Sequence, residues 1–180
     1  MCIRDRVPTN ATGDYSITNS EITGATNGVY ISGTGTYQFA NNNIHDNGNS
    51  GTWNSNGAST VVNNTISGNG GNDALYISGT ISADTTWADD VKLVNEVTVA
   101  AGVTLTIAPG VKIYGHDVDS GLHVEGTLVA NATSDANRIV FTSDNATPLA
   151  GDWDGIWFKS GSSGSLKYVT VEYAGGGYRS

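Results

Sequence analysis

Three segments of the chain align without a gap: ITNSEI (Ile17 to Ile22), FANNNI (Phe39 to Ile44) and VVNNTI (Val61 to Ile66). Ile17, Phe39 and Val61 stand on one 22-residue step, and so do Ile22, Ile44 and Ile66. A unit of that length with two or three short apolar pairs cannot bury a core of its own. Stacking such units lays each apolar column on its neighbour. The alternation in Val29 and Ile31, or Leu75 and Ile77, has the period of two that belongs to strands. The repeat therefore predicts a solenoid of short strands, with successive coils about 4.8 Å apart.

The same step relates Asn19, Asn41 and Asn63. Stacked side-chain amides can donate to one another from coil to coil, so these three are expected to form a structural ladder. Solvated turn asparagines are the alternative. Beyond a transition at residues 80 to 95 a second period is visible: Leu105, Leu122, Ile139 and Ile156 are 17 apart, as are Ile107, Val124, Phe141 and Phe158. Read as one inward column of a narrower helix, they leave Thr106, His123, Val140 and Trp157 facing out. Second-face strands are expected at Val111 with Ile113, Leu128 with Ala130, and Val169 with Val171, with Gly110, Gly126 and Gly155 marking turns or close approaches.

The resulting fold class is all-β, a right-handed parallel β-helix of about 17–22 residues per coil. Residues 7–82 are read as coils of 22 and residues 95–180 as coils of 17, in a single domain truncated at both ends. The opening MCIRDR resembles a translated sequencing adapter, so residues 1–6 are set apart from the fold. VEYAGGGYRS ends without an amphipathic cap, which leaves an edge strand open. Abundant glycine and asparagine (24 and 18 residues) suit tight turns.

A net charge of −9 opposes nucleic acid and anionic membrane surfaces. The longest apolar run falls short of a membrane-spanning helix. Cys2 has no internal partner.

The strings VTVAAGVTLTIAPGVKIYG, LHVEGTLVANAT, RIVFTS, GDWDGIWF and YVTVEYAGGG, in that order over residues 95 to 177, resemble the parallel β-helix repeat regions of bacterial secreted and cell-surface proteins. Residues 14 to 82 resemble the pectate-lyase-like pattern with its asparagine ladder. The resemblance implies an exported protein, extracellular or at the cell surface, sometimes adhesive or carbohydrate-active. It carries no catalytic residue onto this chain, because fold does not fix function.

Candidate chemistry is sparse. Asp117 and Asp119 in GHDVDSG, and Asp152 and Asp154 in GDWDG, are weak calcium candidates; solvated turn aspartates are the plainer reading. His45, His116 and His123 lack metal spacing, no nucleophile elbow is present, and GTG at 33–35 is turn chemistry. An ice-binding threonine array stops after Thr104 and Thr106. Aromatic residues, among them Trp53, Trp87, Tyr30, Tyr76 and Tyr114, offer flat faces that stack on sugars. Trp157, turned outward by alternation, leads the carbohydrate candidates, with Trp153 and His123 beside it. Trp153 has a structural reading as well, packed beneath a loop.

The reading that follows is a non-catalytic β-helix segment of an exported surface protein, a stalk or an adhesive, carbohydrate-binding module for polysaccharide or cell-surface glycans. No cofactor is called for. The competing reading is part of a polysaccharide lyase or glycoside hydrolase with its active site in other rungs. An open groove lined by converging carboxylates and a base would mark the enzyme; scattered charge would mark the spacer.

Overall fold

The computed structural model describes residues 13–31, 36–54 and 59–176. Cys2, the adapter-like opening and the GTG turn lie outside them. Every strand pairing among the described residues is parallel. The chain winds as a right-handed parallel β-helix, the hand that parallel crossovers adopt.

The first three coils hold β1 (Tyr15–Thr18), β2 (Glu21–Thr23) and β3 (Val29–Ile31); β4 (Tyr37–Ala40), β5 (Asn43–His45) and β6 (Ser50–Asn54); and β7 (Ser59–Val62), β8 (Thr65–Ser67) and the long β9 (Asn72–Ile81). The fourth holds β10 (Thr85–Trp87) and β11 (Val91–Val99). The fifth and sixth hold β12 (Thr104–Ile107), β13 (Lys112–Gly115) and β14 (Gly121–Val124), then β15 (Thr127–Asn131), β16 (Ile139–Ser143) and β17 (Gly155–Phe158). The last holds β18 (Ser163–Lys167) and β19 (Val169–Val171).

Stacking produces one sheet that runs the whole length, β1-β4-β7-β10-β12-β15-β18, here called face A. Face B also runs the whole length, through β3, β6, the first halves of β9 and β11, then β13, β16 and β19. The third face changes. In the first three coils it is face C, β2-β5-β8, reached between A and B. From β9 onward it is face D, reached between B and the next A, and built from the second halves of β9 and β11, then β14 and β17.

Corners explain the change. A solenoid corner needs a residue with positive φ, which glycine and asparagine accept with least strain. In the early coils these corners repeat at Asn19, Asn41 and Asn63 (φ 51–57°) and at Gly24, Asp46 and Gly68 (φ 52–71°), so face C is flanked by two turn columns. In β9 and β11 the corners are Gly79 (φ 80°) and Asn95 (φ 59°), which bend each long strand between faces B and D.

The asparagine ladder is one residue away from its expected place. Asn41 and Asn63 are exposed, and only a 3.4 Å contact from Asn63 Nδ2 to Asn41 Oδ1 joins them. Their left-handed backbone turns the next residue inward instead. Asn42 Nδ2 donates to Asn64 Oδ1 at 2.8 Å, and Asn64 Nδ2 donates to Asp89 Oδ2 at 2.7 Å. A second ladder follows the other corner: Asn47 Nδ2 donates to Asn69 Oδ1 at 2.9 Å, and Asn69 Nδ2 to Asp73 Oδ1 at 2.9 Å. Each ends on a carboxylate, which accepts but cannot donate, so the amide chain stops where the repeat stops.

The 17-residue period is not a coil. Leu105 lies on face A beside Leu128, Leu122 and Ile156 are neighbours on face D, and Ile139 lies on face B beside Val169. Ile107, Val124 with Phe158, and Phe141 divide between the faces in the same way. All of them point inward, but each 17-residue step moves around the helix rather than along it. True coil steps are 23 residues from Ile107 to Ala130 and 36 from Ala130 to Leu166, because loops of unequal length join the strands. The expected outward column breaks accordingly: Thr106 sits beside Val129 on face A and Val140 beside Lys112 on face B, while His123 and Trp157 remain neighbours on face D. Of the expected second-face strands, Leu128 and Ala130 belong to face A, and Ile113, Val169 and Val171 to face B.

The core is one continuous apolar column that includes Phe39, Val61, Trp87, Leu105, Leu93, Val97, Leu122 and Phe141. Burying each such aliphatic side chain contributes about 1.5–3 kcal/mol. Gly126 is required by close approach, since a Cβ there would lie 2.2 Å from the Val103 carbonyl oxygen.

Candidate functional site

Trp157 projects from the outward side of β17 and is 39% exposed. Its ring lies 6.0 Å from that of His123, one coil below, and Lys159 Nζ stands 5.4 Å over it. His123 is held on both sides: Nδ1 is 3.1 Å from Glu96 Oε2 and Nε2 is 3.0 Å from Asp154 Oδ2. Glu96 comes from β11, His123 from β14 and Asp154 from the turn before β17. The imidazole therefore ties three successive coils together. Thr98 Oγ1 donates to Glu96 Oε1 at 2.9 Å, continuing the polar strip downward. Asp154 Oδ1 is buried without a hydrogen-bond partner.

Trp153 leaves the carbohydrate candidates. It is fully buried, its indole N–H donates to the Glu172 carbonyl at 2.8 Å, and it fills the space above Gly115, where an added Cβ would lie 2.3 Å from the Trp153 Cβ. Positive φ at Gly155 (115°) interrupts the alternation that would relate Trp153 to Trp157.

The four aspartates do not converge. Asp117 Oδ1 accepts the Asp119 N–H at 3.1 Å and the Ser120 hydroxyl at 2.9 Å within one turn. Asp152 accepts the Ser143 hydroxyl at 2.8 Å and the Leu149 N–H at 2.9 Å, which closes the loop after β16. Hydrogen bonds from the Asn145 side chain, the Leu149 backbone and Ser143 hold its carboxyl below the usual range. Asp154 serves His123. Among the described residues, no group of three or more His, Cys, Asp or Glu side chains is placed to hold a metal ion.

A second cluster, on face B, groups Tyr30, Tyr76 and Tyr114, already named as aromatic faces, with Lys92, His116 and Asp144, a grouping that depends on coil lengths the sequence does not reveal. Backbone pairing aligns Tyr30, Tyr76, Lys92, Tyr114 and Thr142 on the outward side of that face, with Trp53 at the register position between Tyr30 and Tyr76. Lys92 Nζ lies 3.3 Å and His116 Nδ1 2.8 Å from Asp144 Oδ2. Tyr76 packs edge-on against His116 with ring centres 5.9 Å apart, under the Lys92 ammonium at 5.8 Å. Burial, and then the Asp144 charge, push the Tyr76 hydroxyl pKa up; burial and then Asp90 do the same to Tyr114. A cavity of about 380 Å³ opens beside this cluster, lined by Asp73, Asp90, Lys92, Tyr114 and Asn145 among others. Alternation around Tyr76 and Tyr114 was the available signal.

The carboxylates of this groove have structural work. Asp144 joins Lys92 and His116 across three coils, Asp90 accepts the Lys112 N–H at 2.8 Å, and Asp73 ends an asparagine ladder.

Residues 79–160 match the family described as pectate-lyase like beta helix domain. The fold is a right-handed parallel β-helix, and over residues 79–160 the chain is similar to that family. Domains of this type are commonly extracellular. No curated protein and no solved structure matches the chain. The match covers the whole of face D and both staples, Glu96–His123–Asp154 and Lys92–Asp144–His116, whereas Tyr30 and Tyr76 of the second cluster precede it.

Proposed function

We infer that this β-helix is a non-catalytic segment of an exported, extracellular or surface-attached protein, a rigid stalk whose outward strips touch glycans. The observation that carries this reading is the engagement of the ionisable side chains. Glu96–His123–Asp154 and Lys92–Asp144–His116 each bridge three coils through contacts of 2.8–3.3 Å, spending on rigidity the groups an acid–base mechanism would need free. Beside the first staple, Trp157 offers an exposed aromatic face among hydrogen-bonding neighbours, the combination that suits a sugar ring.

A glycan array probed with the chain, paired with product analysis of the same glycans with and without calcium, tests the reading. Saturable binding without product is expected, and Trp157→Ala should weaken it at least tenfold while leaving the circular dichroism unchanged. Release of saccharide products would overturn the non-catalytic assignment in favour of a lyase or hydrolase. Binding that ignores Trp157→Ala would remove the face D strip from the contact surface.

A further inference from the structure

Both asparagines of the second ladder are followed by glycine, Asn47 by Gly48 and Asn69 by Gly70. At Gly70 stacking requires it, since a Cβ there would lie 2.3 Å from the Gly48 carbonyl oxygen one coil below. Asn-Gly is also the dipeptide that most readily loses its side-chain amide, because glycine neither shields its nitrogen nor restricts its backbone. In the stacked coils the reacting atoms are held apart. Gly48 N donates to the Ala25 carbonyl at 2.7 Å, and Gly70 N to the Asn47 carbonyl at 2.8 Å. Asn47 Oδ1 accepts the Ala25 N–H at 3.0 Å, while its Nδ2 donates to the Ile22 carbonyl at 3.2 Å and to Asn69 Oδ1 at 2.9 Å. Face C ends with β8, so Asp73 closes the ladder's upper end: its Oδ1 accepts from the Asn69 backbone N–H at 2.8 Å and from Asn69 Nδ2 at 2.9 Å.

We propose that Asn47 and Asn69 are modification sites, closed while the early coils are stacked and deamidated by their own backbone when those coils part. Once released, the Gly48 or Gly70 nitrogen attacks Cγ of the preceding asparagine. The N–Cγ bond forms, the Cγ–Nδ2 bond breaks, and Nδ2 leaves as ammonia with the glycine's amide proton. Water then opens the cyclic imide, leaving aspartate where it attacks Cγ and isoaspartate where it attacks the main-chain carbonyl carbon. Refolding cannot reverse the change. Position 47 is 2% exposed, so a carboxylate there would be a buried charge with no hydrogen to give the Ile22 carbonyl. A carboxylate at position 69 would meet that of Asp73 across the 2.9 Å now spanned by a hydrogen bond, placing like charges in contact. The ladder therefore turns an opening of the early coils into a permanent loss of their stacking.

Peptide mapping by mass spectrometry, on chain aged in mildly alkaline buffer with and without unfolding urea, tests the proposal. Conversion at Asn47 and Asn69 should be slower by roughly tenfold or more in the folded chain, because it waits on local opening. Chain aged in urea and then refolded should lack slow hydrogen exchange at face C amides in proportion to the fraction converted. Asp73→Ala, which removes the acceptor closing the ladder, should speed conversion at Asn69 and leave Asn47 the slower site. Equal rates in folded and unfolded chain at both asparagines would overturn the proposal, and so would full recovery of face C protection by converted chain. Both of these comparisons use the unaltered protein, so they decide the matter even if Asp73→Ala loosens its coil.

Discussion

Coils one to three and coils four to seven share two faces and differ in almost everything else. The early coils advance by 22 or 23 residues, turn on left-handed asparagine, aspartate and glycine, and are joined through buried amide ladders. The later coils vary from 16 residues, between Leu75 and Val91, to 36, between Ala130 and Leu166, and are joined by histidine–carboxylate and lysine–carboxylate staples. The comparison shows two ways of satisfying polar groups along one solenoid. A strict repeat allows identical amides to hydrogen-bond to copies of themselves, with the histidine–carboxylate pair His45–Glu21 beside them, whereas the unequal later coils rely on partners of opposite charge. Both staples lie in the later coils, where loops of free length carry Asp144 and Asp154 back over a neighbouring coil.

The sharpest way to break the comparison is at Trp153, which stands in for a missing core residue above Gly115. Trp153→Ala should cost about 3–5 kcal/mol in urea unfolding, from lost burial and the cavity left behind. Hydrogen exchange should rise in residues 111–176 and stay unchanged in β1 to β5. Uniform loss of protection along the chain would mean that the two regions are one cooperative unit.

The ladder can be separated from its turn column by adjacent substitutions. Asn64→Ala should destabilise by about 1–3 kcal/mol, because the buried Asn42 loses its partner. Next door, Asn63→Gly should be near neutral, and Asn63→Ala should be worse than Asn63→Gly by about 1 kcal/mol, since alanine resists positive φ. Equal losses at Asn63 and Asn64 would contradict the placement of the ladder.

Acid should act on both regions through carboxyls held low by hydrogen bonds. Asp73, lowered chiefly by the Asn69 backbone N–H, and Asp152, lowered chiefly by Asn145, contribute stability that is present above pH 3.8, their ordinary value, and lost as pH falls through their depressed folded values. The melting temperature should therefore fall steeply below about pH 4, and Asp152→Asn with Asp73→Asn should flatten that fall.

The smallest effect belongs to His45, in the early coils. Asp46 and Glu21 accept from its ring at 2.8 and 3.1 Å and raise its pKa above 6.5. Its contribution is complete below pH 6.5 and disappears as pH rises through the folded value. Exchange at face C amides should increase slightly over that range, and His45→Gln should abolish the pH dependence.

The β-helix was legible because stacking forces chemically similar residues onto one step, as Ile22, Ile44 and Ile66 demonstrate. What was not legible depended on backbone geometry that no periodicity encodes. Left-handed φ at Asn41 and Asn63 moved the buried ladder to Asn42 and Asn64. The same effect at Gly155 turned Trp153 inward while Trp157, on the strand itself, pointed out as alternation predicts. The 17-residue step failed because loop lengths between faces were invisible, and that failure also concealed the Lys92–His116–Asp144 cluster, whose members are neighbours only in the true register.

The register of the later coils is the central claim, and cross-strand backbone NOEs in an isotope-labelled sample test it most directly. The structure predicts contacts of Leu105 with Leu128 and of Leu122 with both Val97 and Ile156. Backbone NOEs linking Leu105 to Leu122 and Leu122 to Ile139 would instead establish a uniform 17-residue coil, and would contradict the change of faces on which both candidate clusters depend.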